Sequence, residues 1–415
     1  MNRLCAIIGC LALCVDLFHA RAAEEAPRVW AHYMPWFRAE RMPDGQIEWA
    51  HWQWHGRGPK HDPDERRPDG RRDIASVYYP LIGPYDGRDP DVLEYHLLSA
   101  RVAGIDAFVA DWYGPDTYSD EVFAHLLRAA ECLGGRAAVC LEEKAFFPGY
   151  AAVNSRAEVL DEAERQIRHV LARHAESPAY LRVENRPVFL LFVNHQQGLL
   201  GRHVLDPDEL AALLARFGKH EVFFIRGHAE RAYAGLVDGT YAWVGDGAYR
   251  SNYYAAARPG YVVGAAMPGF DDTGVWGWGN GPRVIERRGT AQYEEHWREV
   301  LEHQPDAVQL ITWNDFQEGS TIEPSVEYGF RFLDVTEEWV HRYTGRPRYL
   351  KDNAWPHRLH RLRRGIAGIT DEVARVKWSA KVDQFVEDLL RGRRFGMAFR
   401  LWRLESRVPA REGED

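Results

Sequence analysis

Residues 311–324 read Ile-Thr-Trp-Asn-Asp-Phe-Gln-Glu-Gly-Ser-Thr-Ile-Glu-Pro and follow the apolar run 307–310. The run predicts a short buried strand, and the polar turn after it carries Asp315, Glu318 and Glu323. Acids directly after a strand lie at the end where α/β barrels keep their catalytic groups. A helical turn would place the β-carbons of Asp315 and Glu318 about 5–6 Å apart on one face.

Two interpretations fit that spacing. In the first, Asn314 or Asp315 caps a helix and Glu318 completes a capping box. In the second, the two carboxylates flank one sugar, as a retaining glycosidase requires at a separation of about 5 Å. The neighbouring Trp313 and Glu323, together with seven earlier strand patterns, favour the second interpretation.

Those strand patterns are short apolar segments, each ending in polar or aromatic residues. With the last one, the predicted strands are 29–33, 104–110, 136–141, 187–193, 221–225, 239–244, 261–267 and 307–312. Helical patterns separate several of them: one opening at Pro90-Asp91, and 121–132, 156–173, 206–217 and 290–303. This alternation predicts a (β/α)8 TIM barrel over residues 28–343.

Two segments do not fit the alternation. A long loop after the first strand, residues 38–90, is rich in Trp and His, and we expect it to cover the barrel mouth. Residues 344–415 form a basic helical C-terminal extension. Basic amphipathic helices can lie on a membrane surface, but docking on the barrel underside is the simpler expectation.

Composition excludes some function classes. The chain has 415 residues, a formal net charge of −9 and a pI near 6.1, which disfavour a general nucleic-acid binder. Residues 1–22 read as a signal peptide ending at Ala20-Arg21-Ala22, which predicts a secreted or periplasmic protein. The lipoprotein-like box 7–10 follows too short an apolar run to be favoured. Neither Cys-x-x-Cys nor His-Glu-x-x-His occurs, so no metal or other cofactor is predicted.

The segment 313–324 resembles the active-site segment of glycoside hydrolase families 71 and 99. Family 71, the α-1,3-glucanases, has Trp-Asn-Asp-Tyr-Gly-Glu-Ser there. Family 99, the endo-α-mannosidases and bacterial mannanases, has roughly Trp-Asn-Glu-Trp-His-Glu-Gly-Thr-Gln-Ile-Glu-Pro. Asp315 matches the family 71 acid, whereas residues 319–324 match the family 99 tail. Residues 33–37 and 111–114 support the same resemblance.

The resemblance implies retaining hydrolysis of an α-linked polysaccharide or glycan, either α-mannan or α-glucan. Glu318 would protonate the leaving oxygen and then activate water. Asp315 would act on the other face, with the sugar's own 2-hydroxyl as the internal nucleophile. A dry aromatic pocket from Trp36, Trp112 and Trp313 is expected to raise the pKa of Glu318.

Further substrate contacts are predicted at strand ends and in the acid-bearing turn. They are Tyr33, Trp36, Asp111, Trp112, Glu142, Glu143, Trp313, Asn314 and Glu323. Alternation along the strand sends one of Glu142 and Glu143 inward and leaves open which one. Tyr33 is preferred to His32 because it adjoins the turn at Pro35. Glu323 either holds the loop or binds a sugar hydroxyl.

Two alternative functions come from other classes. A non-catalytic carbohydrate-binding barrel would be expected to lack one acid of the pair, and this chain keeps both. A membrane-associated glycan-assembly protein would use the basic C-terminal helices. The expected partner is an oligo- or polysaccharide substrate, with no nucleic acid and, beyond the signal peptide, no membrane.

Overall fold

A computed structural model of the chain describes residues 28–147, 156–193, 204–245, 247–258, 260–348, 352–393 and 396–408. The predicted signal peptide lies outside the described residues. Within them, eight parallel strands close into a barrel, and helices surround it. The predicted (β/α)8 fold is therefore confirmed.

The barrel closes without a free edge. Its strands are β1 (Val29–Tyr33), β2 (Ala107–Trp112), β3 (Arg136–Glu142), β4 (Arg186–Phe192), β5 (Phe223–Gly227), β6 (Gly239–Tyr241), β7 (Tyr261–Ala266) and β8 (Ala307–Leu310). The spatial order is β3-β2-β1-β8-β7-β6-β5-β4, and β3 also pairs with β4. Because β8 lies beside β1, the residues that follow these two strands meet at the barrel mouth.

The main helices follow the strands in the expected alternation. They are α1 (Pro90–Ala103), α2 (Tyr118–Leu133), α3 (Arg156–Arg173), α4 (Pro207–Leu214), α5 (Gly247–Ala257), α6 (Ala291–His303), α7 (Arg331–Thr344), α8 (Trp355–Ala367), α9 (Glu372–Leu390) and α10 (Met397–Glu405). Side-chain caps fix several starts: Thr117 accepts the Asp120 N–H, and Asp206 forms a capping box with Glu209.

Strand β2 begins three residues later than predicted. Gly104 ends α1 in the left-handed region (φ 84°), and the Ile105 N–H still bonds to Ala100. The Asp106 carboxylate then accepts the backbone N–H groups of Arg28 and Val29. Residues 104–106 therefore form the helix end and a brace below β1, and Ala107 is the first strand residue.

The long segment after β1 forms a packed cover. It opens with a hairpin, Arg38–Arg41 paired with Ile47–Ala50, and continues without regular structure to the start of α1. Its core includes Phe37, which stacks on Trp52 with 4.1 Å between ring centroids. The Ser76 hydroxyl donates to the Phe316 carbonyl at 2.6 Å, which ties the cover to the acid-bearing turn.

The C-terminal helices pack on the barrel flank rather than on its underside. Helix α8 lies along α1, and Leu98 of α1 joins a second hydrophobic cluster with Leu359 and Phe385. Arg363 bridges Glu94 of α1 and an α9 acid. In the described part of the chain, no helix combines the length and apolarity needed to cross a membrane.

This docking predicts that α8 contributes to the stability of the barrel. Leu359 is fully buried, so Leu359→Ala should lower the free energy of unfolding by about 2–5 kcal/mol. Val373 on α9 is 78% exposed, and Val373→Ala should change it by less than about 0.5 kcal/mol. Urea unfolding of both variants tests this; equal, small effects would mean that the extension does not fold with the barrel.

Candidate active site

The acid-bearing turn is a loop whose two ends are hydrogen-bonded to each other. The Thr312 N–H donates to the Ser320 carbonyl, and the Glu323 N–H donates to the Trp313 carbonyl at 2.7 Å. Within the loop, the Asp315 N–H donates to the Thr312 hydroxyl at 2.8 Å. Nearly every residue of the loop is buried although it contains no helix or strand. Its shape is therefore set by internal polar contacts.

Asn314 joins this loop to the end of β1. Its Oδ1 accepts the Met34 N–H at 2.7 Å, and its Nδ2 donates to the Met34 carbonyl and to the Tyr85 hydroxyl. The side chain is fully buried. Asn314 thus uses its amide to hold the first and last strand ends together.

A buried network behind the loop contains several residues predicted to bind substrate. Glu323 accepts the Tyr85 O–H at 2.8 Å and lies 3.3 Å from Nε2 of His96 on α1. The other nitrogen of His96 pairs with the Tyr33 hydroxyl at 3.2 Å. Trp313 packs edge-on against His96, with 5.5 Å between ring centroids.

Four of the predicted substrate contacts belong to this network or to the loop in front of it. Tyr33, Trp313, Asn314 and Glu323 are each at most 2% exposed, and the hydrogen bonds and ring contacts given above join them to other protein groups. They support the loop from the helix side. Of the two roles left open for Glu323, the structure favours holding the loop.

Asp315 and Glu318 lie together in the loop as a coupled pair. Oδ1 of Asp315 accepts the Glu318 N–H at 2.9 Å. This is the capping bond of the alternative interpretation, but the residues that follow form turns, not a helix. Burial raises the pKa of Asp315 well above its usual range, and the charge of Glu318 adds to the rise. Burial also raises the pKa of Glu318.

Trp278 contacts Glu318 directly. Its indole N–H donates to Oε1 of Glu318 at 2.9 Å, and this bond opposes the rise in the pKa of Glu318. Trp278 lies in the segment Thr273–Gly279, between β7 and β8. No sequence pattern predicted this contact.

A second carboxyl pair lies at the ends of β2 and β3. Glu142 accepts the Tyr113 O–H at 3.3 Å and lies 3.4 Å from Nζ of Lys144. Burial and the neighbouring Glu142 raise the pKa of Asp111 well above its usual range. Asp315 also raises the pKa of Asp111, and Lys144 lowers that of Glu318. The two carboxyl pairs therefore form one electrostatically coupled site.

Strand alternation decides which residues of each predicted doublet join this site. Trp112 points away from Asp111 toward the helices, where its N–H donates to Asp120 of α2. Glu143 is buried and accepts the Leu205 N–H at 2.7 Å, ahead of α4. Trp112 and Glu143 therefore lie away from this site, their predicted substrate contacts stay predictions, and Glu142 is the acid that meets Asp111.

The aromatic wall near the acids differs from the predicted one. Trp36 is partly exposed and stacks on His51, with 4.8 Å between ring centroids. Tyr113 lies 6.1 Å from Trp36, and His51 bonds to Gln317 beside Glu318. Of the three tryptophans expected to form the dry pocket, only Trp36 lies in this wall. Trp112 and Trp313 are covered by helices.

Arg287 fixes the far side of the loop. Its Nη2 donates to the carbonyls of Gly319 at 2.9 Å and of Thr321 at 2.8 Å. The guanidinium carbon lies 4.1 Å from the centroid of the Tyr78 ring and 4.7 Å from that of Phe332. This buried cation is thus stabilised by aromatic faces and backbone oxygens.

Two groups of side chains in the described residues have metal-ligand chemistry. His32 and Cys140 lie with Asp111 on the barrel interior, where His32 contacts Trp243 edge-on. The second group lies between α2 and α3, where Asp120 accepts N–H groups from two histidines, Trp112 and the backbone. Its carboxylate oxygens are already occupied by hydrogen bonds, so this group is explained without a cation.

Comparison with known proteins agrees with the fold. A sequence model described as Glycosyl hydrolase family 99 matches residues 26–223. The glycoprotein endo-alpha-1,2-mannosidase-like protein of Homo sapiens is 24% identical over 335 residues, covering 71% of this chain and 68% of the relative. The glycoprotein endo-alpha-1,2-mannosidase of Rattus norvegicus is 22% identical, covering 76% of this chain and 75% of the relative.

The chain is a family 71/99-like glycoside hydrolase. A solved structure, the GH99 endo-alpha-mannosidase from Bacteroides thetaiotaomicron, superposes with a TM-score of 0.61 at 19% identity. The match covers 78% of this hydrolase and 99% of that chain, and it supports the fold. The matched family segment ends before Asp315 and Glu318, so their roles rest on the turn itself.

The loop geometry can be tested with two glycines that share the same backbone conformation. Gly319 and Gly329 both have φ of 56°, so alanine costs about 1–2 kcal/mol at either position. A β-carbon at Gly319 would lie 2.6 Å from the Asp271 carbonyl oxygen, whereas at Gly329 it meets nothing within 4 Å. Gly319→Ala should therefore reduce kcat at least about a hundredfold by displacing Glu318, and Gly329→Ala should keep it. Equal activities would show that the loop adapts freely.

The buried acids should also destabilise the fold at neutral pH. The pKa of Glu318 is higher in the folded state than in the unfolded state. The contribution of this residue to stability is therefore complete below the unfolded pKa, about 4.3, and is lost as the pH rises through the folded pKa. Glu318→Gln removes the charge, so its Tm should exceed that of the wild type at about pH 7, with the difference vanishing near about pH 4. Calorimetry across this range tests the sign; a lower Tm at neutral pH would contradict it.

Proposed function

We propose that this hydrolase cleaves α-mannosidic bonds within a glycan, with retention, using Glu318 and Asp315. The observation that carries the proposal is the Asp315–Glu318 loop at the end of β8. Asp315 is buried there and Glu318 is partly exposed, both carboxyls have raised pKa values, and a second acid pair, Asp111 and Glu142, lies beside them. Sites with several perturbed carboxyls at barrel strand ends are typical of acid–base chemistry.

Glu318 is the proposed general acid and then the base. Its raised pKa keeps the carboxyl protonated to a higher pH than that of an ordinary glutamate, which suits donation to a leaving oxygen. The Trp278 N–H holds Oε1, which orients the carboxyl and leaves Oε2 for the substrate. The partial exposure of Glu318, in contrast to buried Asp315, suits the residue that must also receive water.

Asp315 is the proposed partner on the other face of the sugar. Its Oδ1 is engaged by the Glu318 N–H, so Oδ2 is the oxygen available to accept a proton from the 2-hydroxyl. The 2-hydroxyl oxygen then attacks the anomeric carbon as the glycosidic bond breaks and Glu318 protonates the leaving oxygen. Water, deprotonated by Glu318, then attacks the anomeric carbon and opens the resulting 1,2-anhydro sugar, while Asp315 returns its proton to the 2-hydroxyl oxygen.

Mannose is favoured over glucose as the substrate sugar. The relatives named above are endo-alpha-1,2-mannosidases or mannosidase-like proteins, and the family model is that of family 99. The Asp at position 315 agrees instead with family 71, so the same assay must include α-1,3-glucan. We further propose that the chain is exported by its N-terminal segment, which N-terminal sequencing of the secreted protein would check.

The proposal predicts the outcome of a hydrolysis panel. Wild type, Asp315→Asn and Glu318→Gln are incubated with α-mannan, α-1,2-linked mannooligosaccharides and α-1,3-glucan, and new reducing ends are counted. We expect the wild type to cleave the mannans, and each substitution to lower kcat by about 10²–10⁴. Glu372→Gln, at an exposed acid of α9, is the matched control and should match the wild type.

Circular dichroism confirms that each variant is folded before its activity is compared. If the wild type cleaved only the α-1,3-glucan, glucose would replace mannose as the proposed substrate sugar. Full activity of either site variant would rule out the proposed roles of the pair.

A further inference from the structure

Trp278 combines two properties that a purely structural residue does not need. Its side chain is 39% exposed, although it carries one of the largest apolar surfaces in the protein. At the same time its N–H is engaged by the Glu318 carboxyl at 2.9 Å. One edge of the indole is therefore fixed to the proposed acid while the ring remains open to solvent.

The surrounding chain orients this ring. Trp276, Gly277 and Trp278 all have φ between 50° and 56°, a left-handed run that reverses the backbone. Trp54 from the cover packs edge-on against Trp278, with 5.8 Å between ring centroids. The Trp54 N–H is bonded to the Arg57 carbonyl, so this neighbour is itself held in place.

The proposed role of Glu318 as general acid indicates on which side of the scissile bond the Trp278 ring lies. A general acid protonates the leaving oxygen, so its carboxyl sits at the leaving-group side of the scissile bond. Trp278 bonds to that carboxyl and is exposed to solvent, so a leaving sugar held at Glu318 would lie against its ring. An exposed aromatic face there offers an apolar surface to the hydrophobic face of a sugar ring.

We propose that Trp278 forms the leaving-group subsite of this hydrolase, stacking on the sugar that departs and fixing the orientation of Glu318. The preferred leaving group is then itself a glycan rather than a small aglycone. This inference rests on the proposed function, since it takes Glu318 as the general acid. It adds a residue and a subsite that the proposed function does not itself include.

Two substrates with the same mannosyl glycone distinguish a loss of sugar stacking on Trp278 from a general loss of activity. The leaving group of an α-mannooligosaccharide is a sugar, which must be protonated as it departs. The leaving group of a dinitrophenyl α-mannoside is a stable anion, which needs neither a proton nor a sugar subsite. Trp278→Ala should lower kcat/KM at least about tenfold for the oligosaccharide and less than about threefold for the aryl glycoside. Trp402, an exposed tryptophan of α10, provides the control, and Trp402→Ala should change neither.

The Trp278→Phe variant distinguishes the contribution of the aromatic face from that of the indole N–H group. The phenyl ring keeps a stacking surface, so the KM for the oligosaccharide should stay nearer to the wild-type value than in Trp278→Ala. Loss of the N–H removes the contact that lowers the pKa of Glu318, so the basic limb of the kcat/KM profile should move to higher pH. An unchanged profile together with an unchanged KM would overturn both roles.

The remaining outcomes are also decisive. Equal losses of Trp278→Ala on both substrates would show a merely structural role, and no loss on either would show none. Glu318→Gln is measured in parallel and should be impaired far less on the aryl glycoside than on the oligosaccharide. If Glu318→Gln loses both equally, or if the wild type cleaves neither, the proposed function fails and this inference fails with it. A failure confined to Trp278 leaves the proposed function standing.

Discussion

The amide of Asn314 is the contact on which the rest of the site depends. It bonds to both backbone groups of Met34 and to Tyr85, and so fastens the turn after β8 to the end of β1. A buried amide with unmet hydrogen bonds would cost about 1–3 kcal/mol, which makes this arrangement specific. The closed barrel brings these strand ends together, and the amide then fixes the position of the turn that carries Asp315 and Glu318.

Burying two acids raises their pKa values and destabilises the fold, so the loop that carries them must be held firmly. The structure does this from three sides. Glu323 and the network behind it hold the loop on the helix side, and Ser76 of the cover reaches it from above. Arg287 holds the third side through two loop carbonyls. The loop therefore needs no regular secondary structure, and the reactivity of its carboxyls comes from the dry setting that these contacts maintain.

The sequence predicts the barrel well because burial and alternation leave strong signals. The first strand is observed at Val29–Tyr33 and the third barrel helix at Arg156–Arg173, as predicted. The site is harder to predict, because the inward face of a strand end depends on register. His32, Asp111 and Glu142 face inward, whereas the larger aromatic neighbours face the helices. Trp278 lies in a loop without strand context, and only its repeated Trp-Gly pattern, 276–279, could have marked it.

The central claim is that Glu318 protonates the leaving oxygen while Asp315 engages the 2-hydroxyl. A crystal structure of the Glu318→Gln variant with a mannooligosaccharide spanning the site tests it most directly. The account predicts the scissile oxygen within about 3.2 Å of the side chain at position 318 and the 2-hydroxyl at a similar distance from Asp315. A substrate bound with its scissile bond between Asp111 and Glu142, away from the loop, would contradict the account.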